Sequence, residues 1–148
     1  LAPPYSVSQT AVGLVFLVYP FGIFSSAWIG ARADRAGRRK MLMLMFALMF
    51  AGILLTLLRP LICVIVGIAV VTFGFFGGHS VASSWIGVRA SHAKAQAAAL
   101  YLFCYYMGAS VGGSVGGIFW DMARWPGVAA YIAVLLGAGF VTAALGTR

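Results

Sequence analysis

Carboxylate chemistry is almost absent from this sequence: Asp34 and Asp121 are the only acidic residues among 148. Neither lies within an apolar run, so paired-carboxylate acid–base catalysis has no residues to use. Cysteine and histidine are equally sparse, two of each. Cys63 and Cys104 stand in different apolar runs, with no C-x-x-C and no histidine set beside them. That favours small core or lipid-facing side chains over a disulfide or a metal site. With no nucleophile and base set, metal set or carboxylate pair, the chain offers nothing for an enzyme to work with, and no cofactor is expected. Charge of either sign is rare, 8% against 63% hydrophobic residues, where a soluble domain would carry about 25% charged residues. The chain therefore reads as an integral membrane protein.

What is present is a series of long apolar runs separated by short polar ones. Five transmembrane helices are expected, at about 10–30, 41–58, 61–84, 98–120 and 127–146, each near the ~20 residues that cross a hydrocarbon core. The first contains Pro20, which should kink it. The second is rich in Leu, Met and Phe on every face, which places it at the periphery against lipid. The third carries Thr72, His79 and Ser80 with several glycines, and reads as a cavity-lining helix. Residues 85–97 are less apolar and suggest a short helix lying in the interface. In the fourth span Gly108, Gly112, Gly113, Gly116 and Gly117 form overlapping G-x-x-x-G ladders, the mark of a helix-packing face.

The formal charge of +8 is no nucleic-acid footprint, because the basic residues fall only between apolar runs. Residues 31–40, 85–97 and Arg148 hold eight of them, while Arg59 and Arg124 stand alone on the other side. The positive-inside rule makes the rich side cytoplasmic, with the C-terminus inside. Trp28 and Trp85 then fall at the inner interface and Trp120 and Trp125 at the outer one. The chain begins at Leu1 without the basic segment and cleavage site of a signal peptide, and reads as a piece of a longer polypeptide.

The densest charge lies in 30–40, expected as a loop: Gly30, Asp34, Arg35, Gly37, Arg38, Arg39 and Lys40 occur in the order G-x-x-x-D-R-x-G-R-R-K. This resembles, at every position, motif A of the major facilitator superfamily. The wording of 76–85 and 101–106 is similar to bacterial inner-membrane drug and solute permeases of that family. The resemblance implies a twelve-helix carrier of two six-helix halves around a central cavity. Motif A follows span 2 and, often degenerately, span 8, so the chain fits spans 2 to 6 or spans 8 to 12. Spans 8 to 12 are favoured because the third span lacks the arginine of the R-x-x-Q-G motif and the chain ends where a last span would. The fourth-span glycines look like motif C of drug antiporters, with Gly113 where that motif has proline.

In the family, motif A is a gating latch whose Asp meets the positive end of a helix in the opposite half. Carried over, Asp34 would make that contact, worth about 0.3 to 2 kcal/mol, and pair with Arg35 or Arg38. Gly30 and Gly37 would allow close approach and a tight turn. His79 is the one ionisable group inside any span; carrying a proton and bonding a neighbouring helix are both open to it. Thr72 and Ser80 are cavity candidates, and Tyr101 and Tyr105 share one helical face. The resulting expectation is bacterial inner-membrane transport of a small organic solute by alternating access, as proton-coupled drug or metabolite efflux by an antiporter. Its partners would be the solute, protons, the lipid bilayer and the missing N-terminal half. The alternative is a small homo-oligomeric membrane scaffold or pore without carrier activity.

Overall fold

The computed structural model describes residues 8, 13–90 and 92–146, all helix and turn with no strand among them. The expected start of the first span at 10–12 and the basic terminus at Arg148 lie outside the described residues. After a 3-10 turn at Leu14–Val18, four helices follow: α1 Tyr19–Ala36, α2 Arg38–Thr56, α3 Leu61–Arg89 and α4 Lys94–Leu145. Three of them, α2, α3 and α4, are long and apolar enough to cross a membrane. The 18 residues of α1 include Arg32, Asp34 and Arg35 in the last two turns.

Several expectations change. Pro20 stands in the first turn of α1, directly after the 3-10 turn, where its missing N–H costs no α-helical bond. The 30–40 segment is helical up to Ala36 and again from Arg38. Ala and Arg are good helix formers, so local charge did not unwind the chain. Only Gly37 breaks it, at φ 93° and ψ 120°, a backbone conformation open to glycine and few other residues. Among the described residues of 85–97 there is no separate interfacial helix: α3 runs on to Arg89 and α4 starts at Lys94.

Helix α4, at 52 residues, has a path of about 78 Å at 1.5 Å per residue, more than twice the hydrocarbon thickness. It is interrupted at Ala123 (φ −145°, ψ 20°) and Arg124 (φ 53°, ψ −144°). The arm after this break folds back on the arm before it. Tyr131 stacks on Phe119 with ring centroids 4.9 Å apart, and a Cβ on Gly112 would stand 3.7 Å from the Tyr131 hydroxyl.

Helix α2 is not the peripheral, lipid-facing helix that its all-round apolarity suggests. Met41, Met45, Met49, Gly52, Ile53 and Thr56 are buried on one face, against Gly67, Gly74, Gly77 and Gly78 of α3. Side chains at steps of three and four line one stripe, and glycines opposite let the backbones close in. Where Gly52 and Gly67 meet, a Cβ on either would come within 2.9 Å of the other's carbonyl oxygen. Helix α1 packs on α3 beside α2, with Ile29 and Ala33 sharing a buried cluster with Met41, Met45 and Val81. Buried Ser25 donates to the Phe73 carbonyl at 2.6 Å, and a Cβ on Gly22 would strike the Phe76 ring at 2.6 Å. The α4 arm after the break lies antiparallel to α2: Trp125 Nε1 donates to Thr56 Oγ1 at 3.0 Å, and Gly139 abuts the Phe46 ring. Helix α3 is thus the centre of the packing, with α1 and α2 closed on it.

Candidate functional site

Two places gather the chemistry. The first is the basic end, where α1 turns into α2. Gly37 makes the corner, and the corner brings the last turn of α1 onto the first residue of α2. There the Arg38 guanidinium donates to the Asp34 carboxylate. Asp34 is 65% exposed and Arg38 24%, so solvent screens the pair, which contributes on the order of 0–1 kcal/mol. Arg32 lies over the Trp28 ring, its Cζ 3.7 Å from the centroid. Arg35 and Arg39 are exposed on either side of the corner. Gly30 sits one turn before Asp34, against α3: a Cβ there would come 2.8 Å from Ser80 Oγ.

The second is the His79 cluster on the face of α3 that meets α4. The Tyr101 hydroxyl lies 2.8 Å from His79 Nδ1. Phe75, Tyr101 and Tyr105 surround the imidazole with ring centroids at 6.1, 5.4 and 5.0 Å. Leu42, Phe46 and Met49 of α2 close a neighbouring cavity of about 180 Å³ onto the same residues. Its titratable members are His79 and the two tyrosines, with no carboxylate among its walls. Aromatic faces and one imidazole suit a planar or cationic guest and a single transferable proton.

The structure separates residues that the sequence grouped. His79 joins Tyr101 and Tyr105, whereas Ser80 points the other way and donates to the Ser26 carbonyl of α1 at 3.1 Å. Thr72 is half-buried on α3 two turns before His79. Of the α4 glycines, Gly112 and Gly116 face Tyr131, and Gly108, Gly113 and Gly117 have nothing within 4 Å of a Cβ among the described residues. Phe75 and the α2 wall were missed. The signal was the four-residue step from Phe75 to His79, matching that from Tyr101 to Tyr105, which pairs the two helices side chain by side chain. Among the described residues no three His, Cys, Asp or Glu side chains gather as metal ligands.

Long apolar helices packed through glycine, with charge gathered at their ends and near the break in α4, define a multi-pass helical membrane protein. Comparison with known proteins makes the assignment particular. The chain is 51% identical over 136 residues to an uncharacterised MFS-type transporter, YybF, of Bacillus subtilis, covering 92% of this chain and 34% of that one. It is 44% identical over 145 residues to the inner membrane transport protein YnfM of Escherichia coli, covering 98% and 34%. An uncharacterised transporter of Buchnera aphidicola subsp. Schizaphis graminum is 38% identical over 133 residues, covering 90% and 32%. The chain is homologous to MFS-type transporters and spans about a third of the length of these relatives. No family model and no solved structure matches it.

Proposed function

We propose that the chain forms spans 8 to 12, in the C-terminal half, of a twelve-span carrier in a bacterial inner membrane. The carrier moves a small organic solute by alternating access, as proton-coupled efflux of an amphipathic compound. The observation that carries this reading is the Gly37 corner, where all positions of the G-x-x-x-D-R-x-G-R-R-K signature lie at one helix–helix turn with Asp34 presented to solvent. A plain topology signal needs the basic residues but gives no reason for Asp34 or for the two glycines. In this reading α1, α2, α3 and the two arms of α4 are the five spans. The basic end faces the cytoplasm with the C-terminus, and Asp34 meets a helix end in the other half as a latch on the outward-facing state. Gly108, Gly113 and Gly117 offer close backbone approach to a helix of that half. His79, with Tyr101 as its hydrogen-bond partner, carries the proton or contacts the solute.

Asp34→Asn in the full-length carrier is expected to slow transport of a cationic dye into or out of vesicles while the amount of protein in the membrane stays unchanged. Transport at the wild-type rate in that variant sinks the latch. The homo-oligomeric scaffold reading draws on the same open glycines. Seven further spans encoded before Leu1 would remove it.

A further inference from the structure

Between the Gly37 corner and the end of α3 lies a cleft of about 400 Å³, bordered by Asp34, Arg38, Arg39, Trp85 and Arg89 and by Gly146 at the end of α4. Among the described residues three guanidinium groups and one carboxylate border it, an excess of positive charge. The first turn of α2 opens into it with no side-chain cap, adding the partial positive charge of a helix start. The Nε of Arg38 is buried with no hydrogen-bond acceptor among the described residues, although Asp34 takes its terminal nitrogen. A buried donor without an acceptor is costly, and its place in this cleft marks where an anion's oxygen belongs. Arg89 extends over the Trp85 ring, Cζ 5.5 Å from the centroid, which holds its charge at the rim.

A second cavity, about 290 Å³, shares Trp85, Arg89 and Gly146 with the first and continues between Leu42, Ile86 and Ala143. Its walls are almost wholly apolar. A free phosphate would use only the basic cleft and leave this groove idle. An amphiphile uses both: an anionic head among the arginines, a hydrocarbon chain along α2, α3 and the end of α4, and Trp85 at the level between them, where indole rings sit in bilayers.

We propose that this end of the protein binds one anionic phospholipid, its phosphate among Arg38, Arg39 and Arg89 and an acyl chain in the Leu42–Ile86 groove. The site rests on the chain being embedded in a bilayer, not on its being a carrier. Native mass spectrometry of the full-length protein in detergent, titrated with phosphatidylglycerol, phosphatidylcholine or inorganic phosphate, tests it. Phosphatidylglycerol is expected to bind about fivefold or more tightly than phosphatidylcholine, Arg89→Gln to remove about fivefold of that affinity, and Arg89→Lys to keep most of it. Asp34→Asn is expected to raise phosphatidylglycerol binding, a gain that misfolding does not produce. Equal binding of the two lipids, or full phosphatidylglycerol binding in Arg89→Gln, overturns the site. Inorganic phosphate that displaces the lipid at equal concentration overturns the lipid in favour of a free anion. Normal transport by Asp34→Asn together with lipid loss in Arg89→Gln would end the latch and leave the lipid site standing.

Discussion

Gly67→Ala is the sharpest perturbation of this packing. A Cβ at Gly67 would stand 2.7 Å from the Gly52 carbonyl oxygen, 2.7 Å from Thr56 Cγ2 and 3.0 Å from the Thr56 nitrogen. Two of these are backbone atoms of α2, with no rotamer to swing away. Ordinary contact begins at 3.4 Å, so α2 and α3 must part by about 0.7 Å at this level. Overpacking of this kind costs about 1–3 kcal/mol, and a clash against backbone belongs at the upper end. Alanine returns up to about 1 kcal/mol of helix propensity. The net expectation is a loss of about 2 kcal/mol, read as reversible unfolding in detergent micelles. Gly87→Ala is the matched control: it lies on the same helix, and nothing stands within 4 Å of its Cβ. It should be neutral or more stable by up to about 1 kcal/mol. Equal stability of the two variants would refute the close approach of α2 and α3.

Tyr101→Phe removes the hydroxyl beside His79 Nδ1 and should cost about 0.6–1 kcal/mol, the worth of one interhelical hydrogen bond in such a protein, measured in the same unfolding assay. His79→Gln should alter the pH profile of transport, and an unchanged profile removes the histidine from proton movement. Arg124 adopts φ 53° and ψ −144°, a region that suits glycine and strains other residues by about 1–3 kcal/mol. Arg124→Gly is therefore expected to raise stability by about 1 kcal/mol, and a lower unfolding midpoint would contradict the strain.

Much of this architecture is written in the sequence at the level of composition. The apolar runs, the basic corner and the break near Trp120 to Pro126 are all visible because charge and proline are rare enough to stand out. The burial of α2 was hidden because hydrophobicity does not separate core from surface when the solvent is lipid: Met45 and Leu44 are equally apolar, yet one is fully buried and the other exposed. Steric size carried the information instead. Met41, Met45 and Met49 step by four along α2, and Gly67, Gly74, Gly77 and Gly78 recur on one face of α3. Reading the two stripes as partners would have placed α2 in the core. Five of the ten basic residues fall in 30–40, a density that suggests a loop, yet 30–36 is helical. Charge determined where the helix sits, and Gly37 alone determined where it ends. His79 was visible as the one ionisable residue in an apolar run, but its orientation towards Tyr101 and Tyr105 depended on which side of α3 the α1 helix took.

These contacts also rank the helices by how firmly they are joined. Helix α2 meets α3 backbone to backbone at Gly52, Gly67 and Gly74, and α1 meets α3 through Gly22 against the Phe76 ring and through the Ser25 and Ser80 hydrogen bonds. At these glycines the helices stand so close that an added methyl group would not fit, so the three are closely joined. The α4 arm before the break has no buried residue and meets α3 through the rings of Tyr101 and Tyr105 around His79. Ring contacts at 5–6 Å with one hydrogen bond tolerate a shift that touching backbones do not. If the carrier reading holds, rearrangement within this half concentrates at the His79 cluster, and the state of that one imidazole biases how α4 sits against the other three helices. A proton there makes Nδ1 a donor, so the Tyr101 hydroxyl 2.8 Å away must accept from it, which couples protonation to the joint between α3 and α4.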